Sequence, residues 1–515
     1  MQTRKIIFGA AAFLCAAITA NADIIMPKIF SDGMVLQEGK PVKIWGKADK
    51  GAKVDVEFAG QKKSTAASSE GAWDLDLEPL ATSKKPQEMR IFENGADAKK
   101  IGDVLIGEVW ISGGQSNMYF TVDRCDTFED AEKSANYPLI RIFSQSQSAN
   151  APTPQFDLTG DLKWQSVTPQ NVGTFSAAAF YFAESLFKKL DRPIGIVESA
   201  CGGSAMVAWI KKEDAKGVPD FDKKIAIFEK ELSTYNYAAA LKKWEALDKA
   251  NKQKAAELKK EGKPFKGIAP ARPNQNSPLP VKATPQMLYN AKIAPLQGYA
   301  ARGFIWYQGE SDSRTEGDGF SQMFARLIQS WRKYWGDDSM PFYFAQLSSY
   351  DTSADFPNAR AQQHKTLSLA PHTGMAVTFD YGLKENVHPT RKRPVGLRLA
   401  NLALKEVYGF SDLKPYSPEA ASFKYADASA EVALNLKGGA ISAKGDLRGF
   451  EVLQGDKWTP AFAKIENSVL TVSSANGAKI DGVRYLWKSW AEPDVCLYGQ
   501  NDLPLLPFLN LSKTN

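Results

Sequence analysis

The middle of the chain alternates two hydrophobic periods, and that alternation limits the folds open to it more than any other feature. Apolar runs at 105–112, 194–197, 303–307, 342–347 and 375–379 have the length of buried strands. Between the first two, residues 175–190 put Phe175, Ala178, Ala179, Phe182 and Leu186 on one helical face. Strands that are apolar throughout need cover on both sides. The repeated order of strand, helix, strand therefore predicts an α/β domain with a parallel sheet between two layers of helices.

Both ends of the chain read differently. From 23 to 103, alternating stretches such as Val42-Lys43-Ile44-Trp45, Val54-Asp55-Val56-Glu57-Phe58 and Ala72-Trp73-Asp74-Leu75-Asp76-Leu77 sit between Gly-rich turns, which predicts an N-terminal β-sandwich. Residues 413–515 repeat the pattern, as in Val432-Ala433-Leu434 and Val469-Leu470-Thr471-Val472, and predict a C-terminal β-rich segment. The α/β domain then spans 104–412. It carries a Lys-rich insertion at 211–282, where Ile225, Phe228, Leu232 and Tyr235, then Leu241, Trp244 and Leu247, fall at helical spacing. We expect helices packed on the core with lysines on a solvated face. The Pro- and Asn-rich stretch 270–280 reads as the loop returning to the sheet.

At the start, Arg4 and Lys5 precede an apolar run from 6 to 18 and the small-residue site Ala20-Asn21-Ala22. That is the pattern of a signal peptide over 1–22, predicting export to a periplasmic or extracellular location. No later stretch has the roughly 20 apolar residues of a spanning helix, so no membrane partner is expected after cleavage. A formal charge of +6 in 515 residues demands no polyanion, and no nucleic acid partner is expected. Cys125, Cys201 and Cys496 remain in the mature chain, enough for one disulfide with a thiol left over. With three histidines and neither HExxH nor CxxC spacing, no metal or other cofactor is called for.

In an open parallel sheet the chemistry gathers beyond the carboxyl ends of the strands. The first strand leads into Gly113-Gly114-Gln115-Ser116-Asn117-Met118, where Ser116 is either an exposed nucleophile or a helix cap. The second leads into Cys201-Gly202-Gly203-Ser204, a turn whose backbone N–H groups can approach a ligand, or a plain turn. The third ends in Gln308-Gly309-Glu310-Ser311-Asp312; Gln308 can donate an amide N–H to an oxyanion, and Glu310 is better placed to brace the loop. Of the three histidines only His388 follows a strand end. Glu385, three residues earlier, could hold its imidazole in the tautomer that leaves one nitrogen free as a base.

These segments together resemble the sialate O-acetylesterases, a carbohydrate-esterase branch of the SGNH hydrolases. The likeness is carried by Phe30-Ser31-Asp32-Gly33-Met34, Gly107-Glu108-Val109-Trp110, Gly114-Gln115-Ser116-Asn117-Met118, Trp306-Tyr307-Gln308-Gly309-Glu310-Ser311, Ser330-Trp331-Arg332 and His388-Pro389. It implies a flavodoxin-like SGNH domain flanked by β-sandwich material, and a serine esterase acting on O-acetylated sialic acid. Carried over by position, Ser116 is the nucleophile and His388 the base, while the N–H groups of Ser116 and Gly203 and the side chain of Gln308 form the oxyanion hole. The family often has Asp where Glu385 or Asn386 stands, and Asp380 is a reserve for the carboxylate. Val207 stands where relatives commonly carry Glu. Two other readings remain open from residues alone: an acetylesterase for another acetylated glycan such as xylan, and an inactive carbohydrate-binding protein.

Overall fold

The apolar run at 105–112 belongs to a much longer strand. Numbering strands along the chain, β1 is Val35–Gln37, β2 Val42–Lys47, β3 Lys53–Phe58, β4 Gln61–Ala66, β5 Ala72–Leu77 and β6 Ser83–Glu93. Strand β7 then runs without a break from Ala96–Gly114. Its first half pairs antiparallel with β6, which pairs with β3, while β1 lies parallel to it. Its second half is the centre of the parallel sheet, so one strand crosses the expected boundary at 103 and joins the N-terminal strands to the α/β layer. The computed structural model describes residues 24–145, 148–263, 270–466 and 468–512. The signal segment predicted at 1–22 lies outside them.

The remaining central strands are β8 (Tyr137–Ser144), β9 (Trp164–Val167), β10 (Ile194–Ala200), β11 (Gly303–Tyr307), β12 (Phe342–Ala345) and β13 (Thr373–Ala376). Across the sheet the order is β13-β12-β11-β7-β10-β8-β9, parallel except for β9 at the edge. The five strands expected from the sequence are all present. Strand β8 was not among them, because Tyr137-Pro138-Leu139 masks its short apolar core. The third parallel strand in chain order, β10, inserts between the first two, whereas flavodoxin order keeps those adjacent.

Register sets up the site. Gly114 pairs with Ala200 on one side and Tyr307 on the other, Tyr307 pairs with Ala345, and Ala345 with Ala376. Five strands thus end at one level, and the segments beginning at Gln115, Cys201, Gln308 and Gln346 emerge side by side. Alternate residues feed opposite faces. Trp110, Ile305, Tyr307 and Tyr343 pack under the helices Ala177–Leu190 and Arg393–Glu406. Val109, Ile111, Phe304, Trp306 and Phe342 pack on the other face under the helix Gly319–Trp335. There Trp209, Trp306 and Trp331 meet edge to face or tilted, with centroids 5.3–6.3 Å apart.

The C-terminal segment forms a seven-stranded antiparallel sheet whose inward residues include Val432, Val452, Leu470, Val472 and Val483. It docks on the α/β layer through Arg360, which donates to the carbonyls of Lys488 and Ser489, and through the Arg391–Glu492 ion pair. The insertion is helical as expected but packs only in part. The helix Pro219–Ser233 buries Phe221, Ile225 and Phe228, whereas Tyr237–Lys260 buries no residue and leaves Leu247 half exposed. Helical spacing in a lysine-rich stretch specifies a helix without specifying a partner. Cys125, Cys201 and Cys496 are all free and buried, so the disulfide allowed by the cysteine count does not form among the described residues. No described helix is long and apolar enough to cross a membrane.

Candidate active site

The turn after β7 can exist only with its two glycines. A Cβ on Gly113 would lie 2.9 Å from the Trp306 ring, and one on Gly114, at φ +131°, would lie 2.2 Å from the Tyr307 carbonyl. With that close approach the chain turns directly into a short helix, Ser116–Tyr119. Gln115 occupies its N-cap without a side-chain cap bond, so Ser116 does not serve as the cap. Ser116 is instead half-buried, and its Oγ lies 2.7 Å from His388 Nε2. The segment after β13 has to cross β12 and β11 to reach this point, three strand spacings or about 14 Å. Residues brought together from 272 positions apart are thus held at hydrogen-bond distance.

His388 is held by its surroundings rather than by an acid. Its backbone N–H donates to Asn386 Oδ1 at 2.9 Å, and its ring lies nearly parallel to Phe120 with centroids 6.4 Å apart. Burial, the Lys392 ammonium and the Arg124 guanidinium together push its pKa below the usual value. Glu385, expected beside it, is exposed, and no described carboxylate is hydrogen-bonded to His388. The three-residue spacing crosses a turn at 384–385 that sends the carboxylate into solvent. The reserve residue Asp380 is engaged elsewhere, in a two-pronged pair with Arg398 at 2.7 Å on both oxygens.

Asn117 and Lys392, which sequence reasoning did not single out as site residues, link the two halves of the pair. Asn117 is fully buried; its amide N–H groups donate to Glu310 and to the Val387 carbonyl at 3.0 Å, and its Oδ1 accepts from Lys392 Nζ at 2.5 Å. The Val387 carbonyl belongs to the residue before His388, so Asn117 ties the base's backbone to the nucleophile's helix. Lys392 is wholly enclosed, with its ammonium about 5 Å from the Phe120 and Tyr307 ring centroids. Burial pulls it down to about 7. The Glu310 carboxyl, cut off from solvent, is raised by its burial. The position of Asn117 directly after Ser116 was the available signal for one; nothing local marks Lys392 as buried.

Gly203 adopts φ +71°, and a Cβ there would meet Lys282 Nζ at 2.9 Å, so both conformation and space favour glycine. Its turn is fixed on both sides. Cys201 N–H donates to the Gly114 carbonyl at 3.0 Å, and Ser204 Oγ accepts from Trp209 Nε1 at 2.8 Å. Neither the Ser116 nor the Gly203 N–H donates to any described acceptor. Gln308 is placed between these segments but is not free to donate. Its Nε2 donates to Asp312 Oδ2 at 2.7 Å and to the Ser204 carbonyl at 3.1 Å. The expected oxyanion donor is therefore a brace for the Gly203 turn, because Asp312, four residues on, captures its amide. Asp312 also accepts from the Met206 N–H and pairs with Lys224 of the insertion.

The arrangement offers a serine hydroxyl on an imidazole whose surroundings disfavour its protonation, with two unengaged backbone N–H groups on neighbouring turns. That equipment suits acyl transfer. Comparison with known proteins agrees. The profile described as "Carbohydrate esterase, sialic acid-specific acetylesterase" matches residues 106–256 and 282–405, just over half of the chain. Sialate O-acetylesterase from Rattus norvegicus is 28% identical over 89% of this chain and 88% of its own. The Mus musculus protein of the same name is 27% identical over 98% and 97%. The crystal structure of a carbohydrate acetylesterase from Xanthomonas citri superimposes with a TM-score of 0.78 at 29% identity, covering 95% of this chain and 99% of that one. With strand order, turn glycines and the Ser116–His388 pair on matched segments, the chain belongs to the sialic acid-specific acetylesterase family of carbohydrate esterases.

Proposed function

We propose that this protein is a serine esterase of SGNH type that removes O-acetyl groups from sialic acids, with Ser116 as nucleophile and His388 as base. The observation that carries the reading is the 2.7 Å contact between Ser116 Oγ and Nε2 of His388, whose pKa burial, Lys392 and Arg124 push below the usual value. In the first step His388 Nε2 takes the hydroxyl proton as Oγ bonds to the acetyl carbonyl carbon. The carbonyl oxygen becomes an oxyanion, which the N–H groups of Ser116 and Gly203 stabilise. As it collapses, the sugar oxygen leaves with the proton from His388. In the second step water gives one proton to His388 while its oxygen bonds to the acetyl carbon; as the Ser116 Oγ–carbon bond breaks, His388 returns that proton to Oγ, which frees acetic acid, ionised to acetate in water, and restores both the serine hydroxyl and the neutral imidazole.

Lys392 and Arg124 take the place of a carboxylate in this scheme only in part. They favour the neutral imidazole before reaction but do not stabilise the imidazolium that forms during it. Orientation comes from Asn386, Phe120 and the Asn117–Val387 bond. The names of the relatives support sialic acid as the substrate; export across the inner membrane rests on the segment 1–22, and the division at about 103 and 412 on the change of hydrophobic period.

The test is acetate release from O-acetylated sialic acid, with acetylated xylan in parallel, by the wild-type protein and Ser116→Ala. Release from the sialic acid alone, abolished in Ser116→Ala, is the expected result. Release from xylan alone would overturn the substrate, and release that survives Ser116→Ala would overturn the nucleophile.

A further inference from the structure

Several cavities among the described residues carry clustered cations, and in most of them acids stand opposite, as Asp32 and Asp103 do to Arg141 and Lys163. One of about 420 Å³ pairs Arg391, Arg393 and Arg398 with Asp126 and Asp502 in its wall, and Arg398 is already held by Asp380. Another of about 270 Å³ sets Lys223, Lys224 and Arg314 against Asp220, Asp312 and Glu316. One of about 470 Å³ has no acidic residue among the described residues of its wall. The return loop of the insertion lines it with Arg272, Asn274, Leu279 and Lys282, and Cys201 and Asn150 complete the lining named here.

This cavity adjoins the candidate oxyanion turn. Lys282 lies along Gly203, its Nζ 2.9 Å and its Cδ 3.3 Å from where a Cβ would sit. The Ala205 N–H donates to the Lys282 carbonyl at 2.8 Å, which stitches loop to turn. Among the described residues neither Lys282 nor Arg272 makes an ion pair, though Arg272 lies over the Trp244 ring at 5.8 Å. Two unpaired cations, two amides and walls of proline and leucine make a site for an anion carried on a ring that presents both polar groups and C–H surface.

We propose that this cavity takes the carboxylate-bearing end of an acidic sugar, with Lys282 as the salt-bridge partner that selects acid over neutral substrates. The proposal rests on the sialic acid reading of the active site. In such a sugar the carboxylate on C2 and the glycerol chain on C6 lie across the ring oxygen from one another. A substrate whose acetyl group is on Ser116 can therefore extend past Gly203 and set its carboxylate on Lys282. The insertion then has a part in catalysis: it carries the selecting cation and closes it against the oxyanion turn. Arg272, stacked over Trp244, adds a second positive charge to the lining.

The experiment compares kcat/KM for acetate release from O-acetylated sialic acid and from its carboxyl methyl ester. In the wild type the acid should be preferred by roughly 10- to 100-fold, the range for a hydrogen-bonded charge pair. In Lys282→Met, and in Lys282→Gln should the first fail to fold, that ratio should fall toward one, and Lys282→Arg should restore it. A wild-type ratio near one, or a ratio kept in both neutral variants, would overturn the proposal. Inhibition of 4-nitrophenyl acetate hydrolysis by unacetylated sialic acid separates this from failure of the substrate reading. Lys282-dependent inhibition without release of sialate acetyl groups would sustain the cavity and overturn the reading of O-acetylated sialic acid as the substrate, and no inhibition would overturn the cavity.

Discussion

Replacing Asn117 by alanine tests whether the buried network holds the catalytic pair together. The change removes one hydrogen bond from Lys392, one to Glu310 and one to the Val387 carbonyl, all in a region closed to solvent. Bonds to charged groups contribute about 1.5–3 kcal/mol each and a neutral bond about 1 kcal/mol, so leaving all three unmet would cost about 4–7 kcal/mol. Water entering the space left by the amide recovers some of that, and about 3–5 kcal/mol is expected. Urea unfolding followed by tryptophan fluorescence measures it, because Trp110, Trp209, Trp306 and Trp331 are all buried around the same sheet. The freed Val387 carbonyl should also let His388 drift, and a misplacement of about 1 Å lowers kcat/KM roughly 10²-fold. Adding Lys392→Met should cost less than the sum of the two single changes, since they share one interaction. A stability loss below about 1 kcal/mol together with kcat/KM within about threefold of wild type would refute the reasoning.

Glu385→Gln should change kcat/KM by no more than about threefold, because an exposed, unbonded carboxylate acts only through a screened surface field; a fall near 10⁴-fold, as when an acid orienting a catalytic histidine is neutralised, would show that Glu385 reaches the ring during turnover. Because burial, Lys392 and Arg124 all disfavour the imidazolium, kcat/KM should hold its plateau below pH 6.5 and fall only as His388 protonates beneath that. Arg124→Gln removes one cation, so the acid limb should move to higher pH; movement the other way would refute the assignment. Gln308→Glu sets a second carboxylate where Nε2 now donates to Asp312 at 2.7 Å. The variant should lose about 2–4 kcal/mol at pH 7 and recover part of it toward pH 5, as one proton is shared by the two acids. Stability that instead rises with pH would show that the two groups do not meet.

Much of this protein is legible in hydrophobic period alone. Runs such as 194–197 and 303–307 are apolar at every position because both faces of a parallel strand are covered, and the turns after them are where a chain must expose polar groups. That logic picks out Ser116, Gly203, Gln308 and His388 without any contact being known. It fails where the outcome depends on which polar group reaches another first. Glu385 is three residues from His388, but the intervening turn directs it to solvent; Gln308 has a donor in the right turn, but Asp312 takes it. Lys392 has the composition of a surface residue, and only the closure of two aromatic rings and Asn117 around it makes it a buried cation. Burial pattern is written into a sequence because side chains alternate with the backbone at a fixed period. Partner choice among polar groups is decided by register and by loop paths across the sheet, and these exist only once the strands have paired.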